Sequence, residues 1–143
     1  MIMGGHYMNI YLDMDGTIAD LYGVDGWLSY LLEEDEKPYK DAKILVEESV
    51  LINLIKKGYK LNIITWLSKD SSKSYDKKVR KAKREWLKSN YPNIEFKEIH
   101  IIKYGTSKYR VAKDRNGILV DDELKNRKEW KGIAIEPQEI YRI

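Results

Sequence analysis

Cysteine is absent from the 143 residues, which removes disulfides, thiolate nucleophiles and cysteine-ligated zinc or iron–sulfur centres. Histidine is nearly absent too: His6 and His100 are the two present, and they give no metal-ligand spacing. No stretch approaches the roughly 18 apolar residues of a membrane span, and the start lacks a basic segment followed by a long apolar run. The expectation is a cytoplasmic protein with no membrane partner. A strong charge of one sign is also missing. Lysine and arginine number 26 against 23 acidic residues, and the resulting +3 does not by itself announce nucleic-acid binding. There are no internal repeats and no low-complexity linker. What remains is 43% hydrophobic content, enough for one core, so residues 1–143 are expected to form a single domain. Of the three early methionines, Met1, Met3 and Met8, the last directly precedes the first apolar segment, and residues 1–7 are read as a dispensable leader.

Strand and helix signals alternate along the chain. Residues 8–13, MNIYLD, are apolar and β-rich up to Asp13 and predict a short buried strand. From Asp41 to Lys57 the spacing of Ile44, Leu45, Val50, Leu51, Leu54 and Ile55 predicts a helix, with Gly58 ending it. KLNIIT (60–65) predicts a second strand. Tyr75, Val79, Ala82 and Trp86 then mark the apolar stripe of a second helix, beyond which lies Pro92. Further strands are predicted at 95–102, 117–120 and 132–136, with a helix over 122–130 between the last two. This alternation calls for crossover connections and hence an α/β three-layer α/β/α sandwich around a central parallel sheet, Rossmann-like in kind.

In such a sheet the ligand lies beyond the carboxyl ends of the strands, and those ends are polar here. Asp13 and Asp15 follow the first strand, Thr65 ends the second, Lys108 comes after the third, and Asp121 with Asp122 ends the fourth. Two residues apart on extended backbone, Asp13 and Asp15 can face one crevice, and Gly16 lets the chain depart tightly. Four carboxylates in one crevice raise each other's pKa unless a cation joins them. Oxygen ligands without histidine or cysteine favour magnesium, which leaves a position for a phosphate oxygen. Lys108 and the Thr65 hydroxyl supply charge and a hydrogen bond to the same anion. Lys113 rivals Lys108 for that part, since it too precedes the acidic pair.

DMDGT (13–17), LNIIT (61–65), a lysine near 108 and GILVDD (117–122) resemble the four ordered motifs of the haloacid dehalogenase superfamily, over most of the chain. DMDGTIAD together with TSKYRVAKDRNGILVDD is similar to its 5′(3′)-deoxyribonucleotidase-like branch. The resemblance implies a magnesium-dependent phosphomonoesterase in which Asp13 attacks phosphorus to give an aspartyl phosphate and Asp15 is acid and then base. It implies magnesium held by the Asp13 carboxylate, the Asp15 carbonyl and Asp121, with Asp122 as ligand or second partner, while Thr65 and Lys108 orient the phosphoryl group. The superfamily often inserts a cap after the first motif. Here residues 18–40 are the space available, so the cap is expected to be small or absent, and an open site of that kind tolerates a bulky substrate or relies on partners for closure. The resemblance to the deoxyribonucleotidase-like branch implies a small phosphorylated substrate such as a nucleotide.

Each motif also has a plain structural reading. Asp13 to Gly16 makes a turn, Asp121 or Asp122 caps a helix, Thr65 is a strand residue, and Thr106 or Ser107 caps a helix with Lys108 in its first turn. Residues 69–88 carry nine basic and three acidic side chains, read first as a solvated helix face. Placed beside Trp66, that face also suits the backbone of a polynucleotide with a terminal phosphate, a partner not favoured over the small substrate. Tyr22, Trp27 and Tyr30 in the insertion serve either as packing for a short helix or as a stacking platform. Two other classes stand against the enzyme: a phosphate-binding protein without turnover, and a receiver domain, whose acidic pair, aspartate, threonine and lysine come in a different order.

Overall fold

A computed structural model describes residues 2–3 and 6–143, with side chains from Met8 onward; Met1, Gly4 and Gly5 of the expected leader lie outside the described residues. Ile2–Met3 pairs antiparallel with His6–Tyr7, apart from the main sheet.

Five strands form that sheet: β1 (Asn9–Leu12), β2 (Lys60–Trp66), β3 (Ile99–Ile102), β4 (Ile118–Val120) and β5 (Ala134–Ile135). They are ordered β3-β2-β1-β4-β5 and every pairing is parallel. The period of two decides which side chain meets which layer. Ile10, Leu12, Leu61, Ile63, Ile118 and Val120 share one core with Leu51, Leu54, Trp86 and Leu87, whereas Tyr11, Ile64 and Leu119 point to the opposite face with Ala112 and Trp130. Both faces of the sheet are therefore covered, as its near-continuous apolar strands require.

Of the helices, α1 (Trp27–Leu32), α2 (Lys37–Asp41) and α3 (Glu48–Lys56) precede β2, α4 (Lys73–Asn90) follows it, and α5 (Leu124–Glu129) follows β4. Ser72 caps α4 by accepting a hydrogen bond from the Tyr75 amide at 3.1 Å, and Tyr75, Val79, Ala82 and Trp86 are all buried along the predicted stripe. The helix predicted from Asp41 begins instead at Glu48. Lys43–Ile44 is taken up by antiparallel pairing with Ala19–Asp20, and the Leu45 amide bonds the Ile18 carbonyl at 2.8 Å, so that stretch is committed to extended backbone. The third strand likewise starts at Ile99 rather than Glu95, and the last helix at Leu124.

The short pair Ala19–Asp20 and Lys43–Ile44 closes the base of the insertion after the first motif, and α1 and α2 stand above it. Glu34 accepts hydrogen bonds from the Ser72 amide (2.8 Å) and hydroxyl (2.6 Å), and the Tyr75 hydroxyl donates to the Asp35 carbonyl at 2.8 Å. Leu21 and Tyr39 pack with Tyr75, Val79 and Ala82. The insertion is thereby tied to the start of α4, beside the carboxyl end of β2. Among the described residues no helix is long and apolar enough to cross a membrane.

Candidate functional site

The sheet order reverses direction between β1 and β4, the place where open α/β sheets hold ligands at the carboxyl ends of their strands. Asp13 follows β1 and Asp121 follows β4, and each still belongs to the hydrogen-bonded ladder. The Asp13 amide donates to the Val120 carbonyl at 3.0 Å and the Asp121 amide to the Ile135 carbonyl at 3.2 Å. Both carboxylates are therefore set by sheet backbone.

Lys108 joins them. It lies in a single 3₁₀ turn, Lys108–Arg110, is 2% exposed, and its Nζ donates to Asp13 Oδ1 at 2.8 Å and to Asp121 Oδ2 at 2.6 Å. Burial alone would lower its pKa, but the two carboxylates outweigh that and hold it above the ordinary lysine value. Lys113, the rival, stands away from this cluster, with its amide on Glu98 Oε1 at 3.3 Å. Thr17 donates to Asp13 Oδ2 at 3.0 Å, so both oxygens of that carboxylate are oriented. Asp121 accepts from the Glu123 amide at 2.9 Å and from Asn126 Nδ2 at 3.1 Å, so it serves the start of α5 as well as the cleft.

Asp15 and Thr65 meet through a residue that the sequence reading left in the basic helix face. Lys83 on α4 is 1% exposed, and its Nζ donates to Asp15 Oδ2 (2.8 Å), Thr65 Oγ1 (2.6 Å) and the Trp66 carbonyl (2.7 Å). A signal was present. Lys83 is four residues from both Val79 and Leu87, inside the buried stripe rather than opposite it. Asp15 is held above the ordinary aspartate pKa by burial, a shift that Lys83 opposes and Asp13 reinforces. Asn126 and Thr17 were also missed, because nothing in a lone polar residue marks the direction it faces.

Asp122 completes the acidic set. Its carboxylate tucks against Gly16, whose φ is +82° and where a Cβ would fall 2.3 Å from Asp122 Oδ2. Glycine is needed there both for the backbone conformation and for the close approach. Carboxylate oxygens of Asp13, Asp121 and Asp122 lie within 4.8 Å of one another. Burial first, and then Asp13, push Asp121 up to about 6; burial, Asp13 and Asp121 push Asp122 up to about 8.

These residues fit a hard divalent cation. Asp15 is balanced by Lys83, and Asp13 and Asp121 share one ammonium, Lys108, with Asp122 beside them, so that full ionisation of these three carboxylates leaves two negative charges uncompensated. Beside them, Asn126 Oδ1 is buried with no hydrogen-bond partner among the described residues. An orphaned acceptor next to an all-oxygen set suits a water held on a metal ion.

Above this floor opens a cavity of about 510 Å³. Its apolar walls combine leucines with aromatic rings: Tyr22 and Trp27 from the insertion, with rings 4.9 Å apart, and Trp66 and Tyr104 from the strand ends, with rings 4.8 Å apart. Trp66 is fixed by donating from Nε1 to the Thr106 carbonyl at 2.9 Å. The cleft thus joins an anionic, cation-demanding floor to a broad apolar mouth, an arrangement able to seat a phosphate group below and a flat apolar group above. No protein-family model matches the sequence, and no curated protein matches it.

Proposed function

We propose that the chain is a magnesium-dependent phosphomonoester hydrolase of the haloacid dehalogenase kind, working through an aspartyl phosphate on Asp13 and acting on nucleotides. The observation that carries this reading is the meeting of Asp13, Asp15, Lys108 and Asp122 in the lining of one cleft at the sheet's switch point, with the buried Asp121 bonded to Lys108 and the buried Thr65 tied to Asp15 through Lys83. The order of the motifs along the chain supports the same kinship.

In the first step the Asp13 carboxylate attacks phosphorus as the bond to the leaving oxygen breaks, and Asp15 delivers a proton to that oxygen. In the second, Asp15 takes a proton from water, the water oxygen bonds phosphorus, and the Asp13 acyl phosphate bond breaks to release inorganic phosphate. The raised pKa of Asp15 suits the first of these tasks, since a protonated carboxyl is what the leaving oxygen requires. Lys108 sits on Asp13 Oδ1, where its charge stabilises the negative phosphoryl oxygens. Asp13, Asp121 and Asp122, with the Asp15 carbonyl as a further donor, would hold magnesium, which would supply charge neutralisation to the phosphoryl oxygens.

Aromatic walls favour a nucleoside leaving group over a sugar, because flat rings stack where polyols find few partners. The polynucleotide reading is weaker. Lys69 and Lys108 are the cations lining the cleft, while Lys77, Lys81 and Arg84 on α4 lie exposed outside it. The test is hydrolysis of a panel of nucleoside monophosphates, sugar phosphates and terminally phosphorylated oligonucleotides, with magnesium and with a chelator. Magnesium-dependent release of phosphate, greatest for mononucleotides, is the expected result. Phosphate binding without turnover on any member would leave a binding protein in place of an enzyme.

A further inference from the structure

Resting on the hydrolase reading above, we propose that Lys83 is a positioning residue for the reaction, anchored on the buried Thr65 hydroxyl and the Trp66 carbonyl and fixing Asp15 so that it presents one defined atom to the substrate. A lysine that is 1% exposed and bonded to three acceptors has used all three of its ammonium protons. Each bond restricts its partner. With Oδ2 of Asp15 held by Lys83, Oδ1 is the oxygen left for the leaving group and later for water. Thr65 is itself fully buried and outside the cavity lining, so its oxygen, accepting from Lys83, serves to anchor the ammonium. The bond to the Trp66 carbonyl fixes the end of β2, the strand that carries both Thr65 and the Trp66 ring of the cleft wall.

The placement makes Lys83 the link between the floor and the insertion. Its Nζ lies 5.1 Å from the ring centre of Tyr39 on α2, a face-on approach of cation to aromatic ring. Apart from Asp15, Lys83 touches none of the carboxylates in the acidic set, whose ammonium is Lys108. The two buried lysines therefore divide the site: Lys108 attends Asp13 and Asp121, and Lys83 attends Asp15. A helix that looks from its sequence like a solvated basic face contributes one of its lysines to the chemistry.

A structural role predicts a different result from a positioning role. Lys83→Met keeps an unbranched apolar stem and removes the three donors, and Lys83→Gln keeps a neutral polar head should the methionine variant fail to fold; both are one atom shorter than lysine. On an aryl phosphate with magnesium, Lys83→Met is expected to lower kcat on the order of 10²-fold, the size of a misplaced reacting group, with KM within about threefold. In a double-mutant cycle with Asp15→Asn the two losses should not multiply, because Lys83 acts through Asp15. A kcat within about threefold of wild type, or a full further loss in the Asp15→Asn background, overturns the proposal, as does failure of both variants to fold. A wild-type protein without magnesium-dependent turnover removes the hydrolase reading itself; an active wild type with an indifferent Lys83 variant removes only the positioning role.

Discussion

Adding magnesium to metal-free protein should stabilise it, and more strongly at pH 8 than at pH 6. Without the ion, Asp13 and Asp121 share the single ammonium of Lys108, and Asp122 crowds the same carboxylates. Asp121, pushed up to about 6, and Asp122, pushed up to about 8, both lie above the ordinary aspartate value of 3.8. Between that value and about 8 the folded chain binds protons that the unfolded chain has released, so the stability of the metal-free protein falls as pH rises through this window. Binding of the cation requires the deprotonated carboxylates and releases those protons, so affinity grows over the same range. At a hundredfold excess of magnesium over its dissociation constant the gain is about 2.7 kcal/mol. For a chain of this length that corresponds to a rise in Tm of roughly 5–10 °C. Thermal melts with chelator and with a magnesium series at the two pH values measure it, and Asp122→Asn should reduce the gain while raising the melting point of the metal-free protein at pH 8. Identical melts with and without magnesium at pH 8, or an undiminished gain in Asp122→Asn, would refute the reasoning.

Asp15→Asn should cost roughly 10²–10⁴-fold in kcat through loss of proton transfer, read from steady-state hydrolysis of an aryl phosphate. Lys108→Met strands the buried Asp13 and Asp121 carboxylates without their cation and should destabilise the metal-free protein by about 3–5 kcal/mol in urea unfolding, part of which magnesium restores. Replacing Lys77, Lys81 and Arg84 together with glutamine should leave mononucleotide hydrolysis unchanged; a selective loss on oligonucleotides with a flatter salt dependence would instead favour a polynucleotide substrate.

The strand ends were legible because β-strands announce themselves by short apolar runs and stop where polarity begins: Asp13 and Asp121 directly follow such a run, while Thr65, expected to end its strand, is followed in β2 by Trp66. Their position at the switch point then follows from strand order, which periodicity alone does not give. The choice between Lys108 and Lys113 was not readable. Five residues apart in a loop, the two differ by whether the 3₁₀ turn at Lys108–Arg110 aims a side chain at Asp13. Lys83 was hidden by its neighbours: in a run of nine basic residues one charge on the buried face looks like the others, although its four-residue spacing from Val79 and Leu87 gave it away. The helix start expected at Asp41 failed because apolar residues at Ile44 and Leu45 fit a helical stripe and a strand equally well, and the distant partner Ala19–Asp20 decided between them.

The central claim is that Asp13 carries the phosphoryl group between the two steps. Wild-type protein mixed with excess aryl phosphate and magnesium, quenched in acid within the first turnovers, should retain phosphate on the peptide containing Asp13. Borohydride reduction of that peptide should convert residue 13 to homoserine, identified by mass spectrometry, and Asp13→Asn should give neither signal while binding of a nucleotide persists. Turnover by the wild type with no trapped phosphate, with phosphate on another residue, or with activity intact in Asp13→Asn would contradict the account.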